Sequence, residues 1–185
     1  MKTRTVIYDF DGTIFRSPER EDGENIYFEA TGELLPFPGW WGRIESLTPP
    51  IVPSLPDENW YLSDTISCCK EDYSRQDTEV ILMTGRHKHV IHRVFELCEI
   101  ADLKFDRYFY KGLKGQKGTE TFVVKRHYIQ DFIIHPNLKI LEIWEDRPEH
   151  VSNFANISKY WKSNIYKHLE QIIIHDVKTG KKLKI

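Results

Sequence analysis

The chain has 185 residues, 40% of them hydrophobic, and a formal net charge of -2. That fits one domain with a core of its own. It excludes a protein coated with basic residues for bulk nucleic-acid binding and leaves room only for a local basic patch. Cys68, Cys69 and Cys98 form no Cys-x-x-Cys pair, which argues against both a disulfide framework and a zinc site. The first residues lack the basic and apolar segments of a signal peptide, and no apolar run approaches the roughly 20 residues that cross a bilayer. The expectation is a soluble intracellular protein with no membrane partner.

Five runs read as strands, at residues 5–10, 79–83, 107–110, 139–144 and 171–177. The first ends in Asp9-Phe10-Asp11-Gly12-Thr13, which sets two carboxylates two residues apart. Strand side chains alternate, so the spacing turns both acids to one side. Such a pair is tolerated where a divalent cation sits between them, or where one carboxylate works as acid or base. The next stretch, residues 15–78, holds most of the prolines together with Trp40, Trp41 and Trp60. It is too long for a plain connection and is expected to fold as a small cap or lid over the strand ends, with a helix at residues 63–73 leading back to the second strand.

After Val80-Ile81-Leu82-Met83 comes Thr84-Gly85-Arg86, which reads as a tight turn opening a helix where N–H groups and a hydroxyl can hold phosphate oxygens. Helical spacing recurs at residues 89–100 and 119–134, and Pro148 stands where a third helix would begin. Lys125 lies on an otherwise apolar face of the second of these helices. A further acidic pair, Glu145-Asp146, follows the fourth strand. The Lys-Thr-Gly-Lys-Lys-Leu-Lys tail reads as a solvated end. Alternating strands and helices predict a Rossmann-like α/β fold, a parallel sheet with flanking helices and ligands beyond the carboxyl ends of the strands.

In this order the four signals resemble the haloacid dehalogenase (HAD) superfamily of aspartate-nucleophile phosphotransferases. Asp9-Phe10-Asp11-Gly12-Thr13 matches its first motif, Thr84 the second, Lys125 the third and Glu145-Asp146 the fourth, with Lys117 the alternative third-motif lysine. Gly39-Trp40-Trp41, Trp60, Leu82-Met83-Thr84-Gly85-Arg86, Thr121-Phe122 and Arg147 with His150 and Phe154 narrow the resemblance to the HAD domain of Swiss Army Knife RNA repair proteins. The resemblance implies a phosphatase in which Asp9 forms an aspartyl-phosphate and Asp11 acts as acid and base. It implies a Mg²⁺ cofactor held by Asp9, the Asp11 carbonyl and Asp146, with Glu145 behind its waters, while Thr84 and Lys125 hold the phosphoryl oxygens.

For the substrate, lysines between the third strand and the following helix, Lys117 among them, suit a ligand with several phosphates. Trp40 and Trp41 can stack on a base, and Gly85 and Arg86 stand at the entrance. The expected substrate is the phosphorylated end of RNA or DNA, or a nucleotide. The alternatives are a small-metabolite or mononucleotide phosphatase and a catalytically silent binding module.

Overall fold

The computed structural model describes residues 2–112 and 119–185. Its frame is one six-stranded sheet in the order β3-β2-β1-β4-β5-β6. Strands β1 (Arg4–Tyr8), β2 (Thr78–His87), β3 (Arg107–Lys111), β4 (Ile140–Glu145) and β5 (Gln171–Asp176) run parallel, and β6 (Lys181–Lys184) turns back antiparallel on β5. The chain steps outward from β1 through β2 to β3 and then crosses to β4 on the other side of β1. The strand order therefore reverses between β1 and β4, and their carboxyl ends frame a crevice.

Period-two alternation sorts the core into two layers. Val6, Tyr8, Val80 and Leu82 face α2 (Ser63–Ser74) and α3 (Ile91–Ile100), and pack with Cys69, Val94 and Leu97. Ile7, Ile81, Met83, Leu141, Ile143 and Ile174 face the other way, onto α4 (Thr121–Ile133) and α5 (Pro148–Tyr160), against Ile129, Phe132 and Phe154. Pro148 takes the first turn of α5, where its missing N–H costs nothing.

Between β1 and β2 the chain forms α1 (Arg20–Thr31), two 3₁₀ turns and α2. Leu47, Ile51 and Val52 join the α3 layer of the core. The Arg93 guanidinium fastens this segment to α3 by donating to the carbonyls of Leu47, Pro53 and Ser54 at 2.9–3.0 Å. Sequence periodicity misses α1 because this helix buries only Gly23. The ring of Trp40 lies where a Gly23 methyl would be, and Trp40 donates its indole N–H to Pro18 O at 2.9 Å.

The tail is a second departure from expectation. Instead of a solvated end it forms β6, entered through a turn closed by Gly180 in the left-handed region. All four residues of β6 are exposed, so no hydrophobic pattern announces the strand. Its support is the backbone ladder, and its lysines guard the sheet edge.

On the α2 face, Arg4 donates to Asp72 at 2.6 Å and to Glu142 at 2.7 Å, and His175 Nε2 lies 2.8 Å from Glu142. Burial works to raise the Glu142 pKa, but these two partners win and hold it at about 2, against an ordinary 4.5. Because the folded value is depressed, the stability it supplies is present above pH 4.5 and is lost as pH falls from there toward 2. Thermal melts between pH 3 and pH 6 should therefore show a steeper acid decline for the wild type than for Glu142→Gln. Parallel declines would contradict this assignment.

Candidate active site

Strand β1 ends at Tyr8, although Asp9 N still donates to Trp144 O at 3.1 Å. A tight turn follows in which Phe10 O accepts from the N–H groups of Thr13, Ile14 and Phe15. Phe10 stacks on Phe15 in the core and anchors this turn. Gly12 sits at φ +68°, and a methyl group there would strike the Asp146 carboxylate. The glycine thus lets the loop after β1 close onto the acid after β4. Asp9 and Asp11 both line one pocket of about 290 Å³, but a turn delivers Asp11 there, not strand alternation.

Lys125 reaches in from α4. Its Nζ lies 2.8 Å from Asp9 Oδ2 and 2.7 Å from Glu145 Oε2, with 3% of the residue exposed. Glu145 also meets His150 Nδ1 at 3.3 Å and the N–H of Arg147 at 3.3 Å. Burial opposes its charge, yet Lys125 and His150 pull the Glu145 carboxyl well below the usual range. Asp9 goes the other way. Burial, then the charges of Glu145 and Asp11, outweigh Lys125 and raise its pKa well above an ordinary aspartate. Burial and Glu145 likewise push Asp146 up to about 6.

One lysine is thus set against three acids. Asp9, Glu145 and Asp146 each offer an oxygen within 4.8 Å of the others. Asp9 Oδ1 and Asp146 Oδ1 are buried without a hydrogen-bond partner. Two orphaned carboxylate oxygens among hard oxygen donors fit a divalent cation such as Mg²⁺.

The Asp11 carboxylate is engaged elsewhere. Arg86 Nε donates to both of its oxygens at 3.0 and 2.9 Å, Arg86 Nη2 to Oδ1 at 2.7 Å, and the Ser17 hydroxyl to Oδ1 at 2.5 Å. The same guanidinium donates to Ser46 Oγ at 2.6 Å and to Trp41 O at 3.3 Å. Arg86 is fully buried. It therefore stands behind Asp11 and not at the entrance, a correction to the position expected from the sequence.

The stretch holding Arg86 is also a correction. No helix opens at Thr84-Gly85-Arg86; β2 runs on to His87, with its register against β3 shifting between Met83 and His87. Such an irregularity re-aims side chains at a strand end. The Thr84 hydroxyl accepts from Arg86 N at 3.0 Å.

Gly85, Thr121 and Lys125 line the pocket with the two aspartates, and Trp41, His87, Lys111 and Arg147 form the remaining wall. Trp41 lies between two guanidiniums, with Arg86 Cζ 4.8 Å and Arg147 Cζ 5.3 Å from its ring. Burial, then the neighbouring His89, lowers the His87 pKa below that of an ordinary imidazole. Of the two tryptophans expected to face a substrate, Trp41 reaches the pocket and Trp40 is buried in the core. Lys117 lies outside the described residues. Sequence reasoning used Thr121, which stands in the first turn of α4, as a family marker and not as a site residue, and it left out Ser46, which the proline-rich segment carries to Arg86 with no local pattern to mark it.

The family model for HAD domain family 1 in Swiss Army Knife RNA repair proteins matches residues 29–185. The chain belongs to this family. The match begins after the Asp9 loop, so that loop's role in this HAD domain rests on its geometry and its motif. An uncharacterized protein of Saccharomyces cerevisiae, YMR265C, is 27% identical over 170 residues, covering 83% of this chain and 36% of the yeast protein. The chain thus matches about a third of that relative's length. A solved structure of a Pnkp1/Rnl/Hen1 complex contains a chain with a TM-score of 0.53 and 13% identity. That likeness covers 89% of this chain and 44% of the other, and it shows the shared fold. Among the described residues no helix is long and apolar enough to cross a membrane.

Proposed function

We propose that this HAD domain is a Mg²⁺-dependent phosphomonoesterase that works through an aspartyl-phosphate on Asp9 and acts on phosphorylated RNA or other nucleic-acid ends. The observation that carries the proposal is Lys125 bridging Asp9 and Glu145 at the pocket floor, beside Asp146, with two carboxylate oxygens left unpartnered. Asp9 and Asp146, with the main chain of Asp11 and with the buried Glu145 supporting them from behind, would hold the cation. When bound, the cation supplies positive charge that offsets repulsion between a carboxylate nucleophile and an anionic phosphate.

The chain's own residues do the rest. Asp9 attacks phosphorus, the bond to the leaving oxygen breaks, and Asp11, which must first leave its bonds to Arg86 and take up a proton, gives that proton to the leaving oxygen. Asp11 then takes a proton from the water that attacks the phosphoryl group, and Asp9 is released. Lys125 and the Thr84 hydroxyl hold the phosphoryl oxygens, and Lys125 keeps Asp9 oriented. Gly85 leaves room beside Thr121, since a methyl group there would press on the threonine side chain.

The cationic wall of Lys111 and Arg147 with Trp41 supports a substrate that carries both phosphate and a base. Family membership supports RNA ends over other phosphoesters. A phosphatase panel should show phosphate release from RNA ends that depends on Mg²⁺ and stops with a chelator. A clear preference for mononucleotides or small phosphoesters would overturn the nucleic-acid part. Release that persists undiminished in chelator would overturn the metal part.

A further inference from the structure

A second groove, of about 550 Å³, lies on the α2 face of the sheet, beyond the part that α2 and α3 cover. In its floor, Trp144 and His175 sit side by side on neighbouring strands, with Tyr8 buried next to Trp144 on β1 and Lys182 paired with His175 on β6. Trp144 stacks on Tyr8 at 5.3 Å and on His175 at 3.9 Å. The opposite wall is the first turn of α2, whose N-cap, Leu62, offers no side-chain acceptor.

Two polar groups in the floor lack a partner. His175 is 4% exposed and commits Nε2 to Glu142, so Nδ1 is presented on the other edge of the ring with nothing bonded to it. The buried Trp144 indole N–H is likewise unpartnered. Arg16, Lys181 and Lys182 line the rim against Asp64 and Asp176, and the Asp176 carboxylate is already bonded to the N–H and hydroxyl of Thr179. The groove therefore offers an indole donor and a surplus of cations above an aromatic floor, a setting for an anion attached to an organic body.

The groove also lies next to the catalytic cleft along the chain at two points. Arg16 precedes Ser17, which bonds Asp11. Lys178, on the turn before β6, shares a hollow of about 300 Å³ with Ser17, Asp11 and Asp146. The adjacent pairs Arg16–Ser17 and Val177–Lys178 thus each place one member in the groove and the other in the hollow beside the carboxylates.

We infer that this groove binds internal phosphates of a single-stranded polynucleotide whose phosphorylated end lies at Asp9. The inference rests on the phosphatase reading above, and the adjacency of the groove to the hollow at Asp11 favours a polymer of phosphates over an acidic peptide. The test is the double variant Lys181→Gln/Lys182→Gln, on an exposed edge strand where the fold tolerates polar exchange. Phosphate release is compared for a short RNA and for the mononucleotide carrying the same end.

The expected result is a KM for RNA raised on the order of tenfold, with kcat and all mononucleotide kinetics unchanged. The dependence of log KM on log salt should become shallower by roughly 0.7 per lysine removed. Equal effects on both substrates, or no effect on either, would overturn the groove. Fluorescence anisotropy with a labelled unphosphorylated RNA separates the two readings. If no RNA end is hydrolysed but the variant still binds the RNA more weakly, the groove stands and the phosphatase reading falls. Equal RNA binding by both proteins, or displacement of the RNA by a glutamate-rich peptide as readily as by RNA, removes the groove whatever the activity.

Discussion

Asp9→Asn is expected to lower kcat on any phosphomonoester on the order of 10⁴-fold or more, because the amide cannot attack phosphorus. The fold should survive the change. Burial and two nearby carboxylates raise the Asp9 pKa, so a neutral isostere relieves repulsion in the metal-free protein, while Lys125 keeps Glu145 at 2.7 Å. Melting in chelator should therefore give a Tm at or above that of the wild type. Adding Mg²⁺ should raise the Tm of the wild type more than that of the variant, since one ligand oxygen is gone. Retained activity would remove Asp9 as nucleophile. A collapse in stability would mean that the Asp9–Lys125 pair is needed to hold the core together.

Arg86→Ala carries the largest expected cost in stability. Removing the guanidinium strands the Asp11 carboxylate in a buried site, cuts the bonds to Ser46 and Trp41 O, and leaves a cavity behind Asp11. Breaking one partner out of a buried ion pair costs about 3–5 kcal/mol. kcat should also fall, by roughly 10²-fold, because the acid and base is no longer held in place. Arg86→Lys restores charge without the two-pronged geometry and should recover only part of the stability. The double variant Arg86→Ala/Asp11→Asn should be more stable than Arg86→Ala alone, since the uncompensated charge has gone. Urea unfolding of the four proteins checks the set, and a double variant no more stable than the single one would show that lost packing, not an orphaned charge, sets the cost.

Much of the architecture was legible because it rests on local pattern. The apolar runs of β1, β2 and β4, and the 3.6-residue spacing through Val94 and Leu97 and through Ile129 and Ile133, give the parallel sheet and its two layers directly. What escaped has physical causes. α1 buries a glycine in place of an apolar stripe, and β6 is an edge strand of lysines, so neither produces periodicity. The site was legible only as far as its motifs reach. Asp9, Lys125, Glu145 and Asp146 converge on one buried cluster, as their positions after strands and on an apolar helical face suggested. The partnership of Arg86 with Asp11 was not legible, because the residues are 75 apart in sequence and the irregularity that turns Arg86 inward is a feature of the β2–β3 register. Thr84-Gly85 read as a turn because Gly and Thr commonly end strands; here the glycine serves the close approach of Thr121 instead.

The most direct test of the central claim is mass mapping of the acid-quenched Asp11→Asn protein during turnover of a phosphorylated RNA with Mg²⁺, since loss of the base slows hydrolysis of the covalent species. The account predicts a mass increase of one phosphoryl group on the peptide containing Asp9, absent when Asp9 is also changed to Asn. Phosphate release with no phosphoryl group on Asp9, or with the group on another residue, would contradict it.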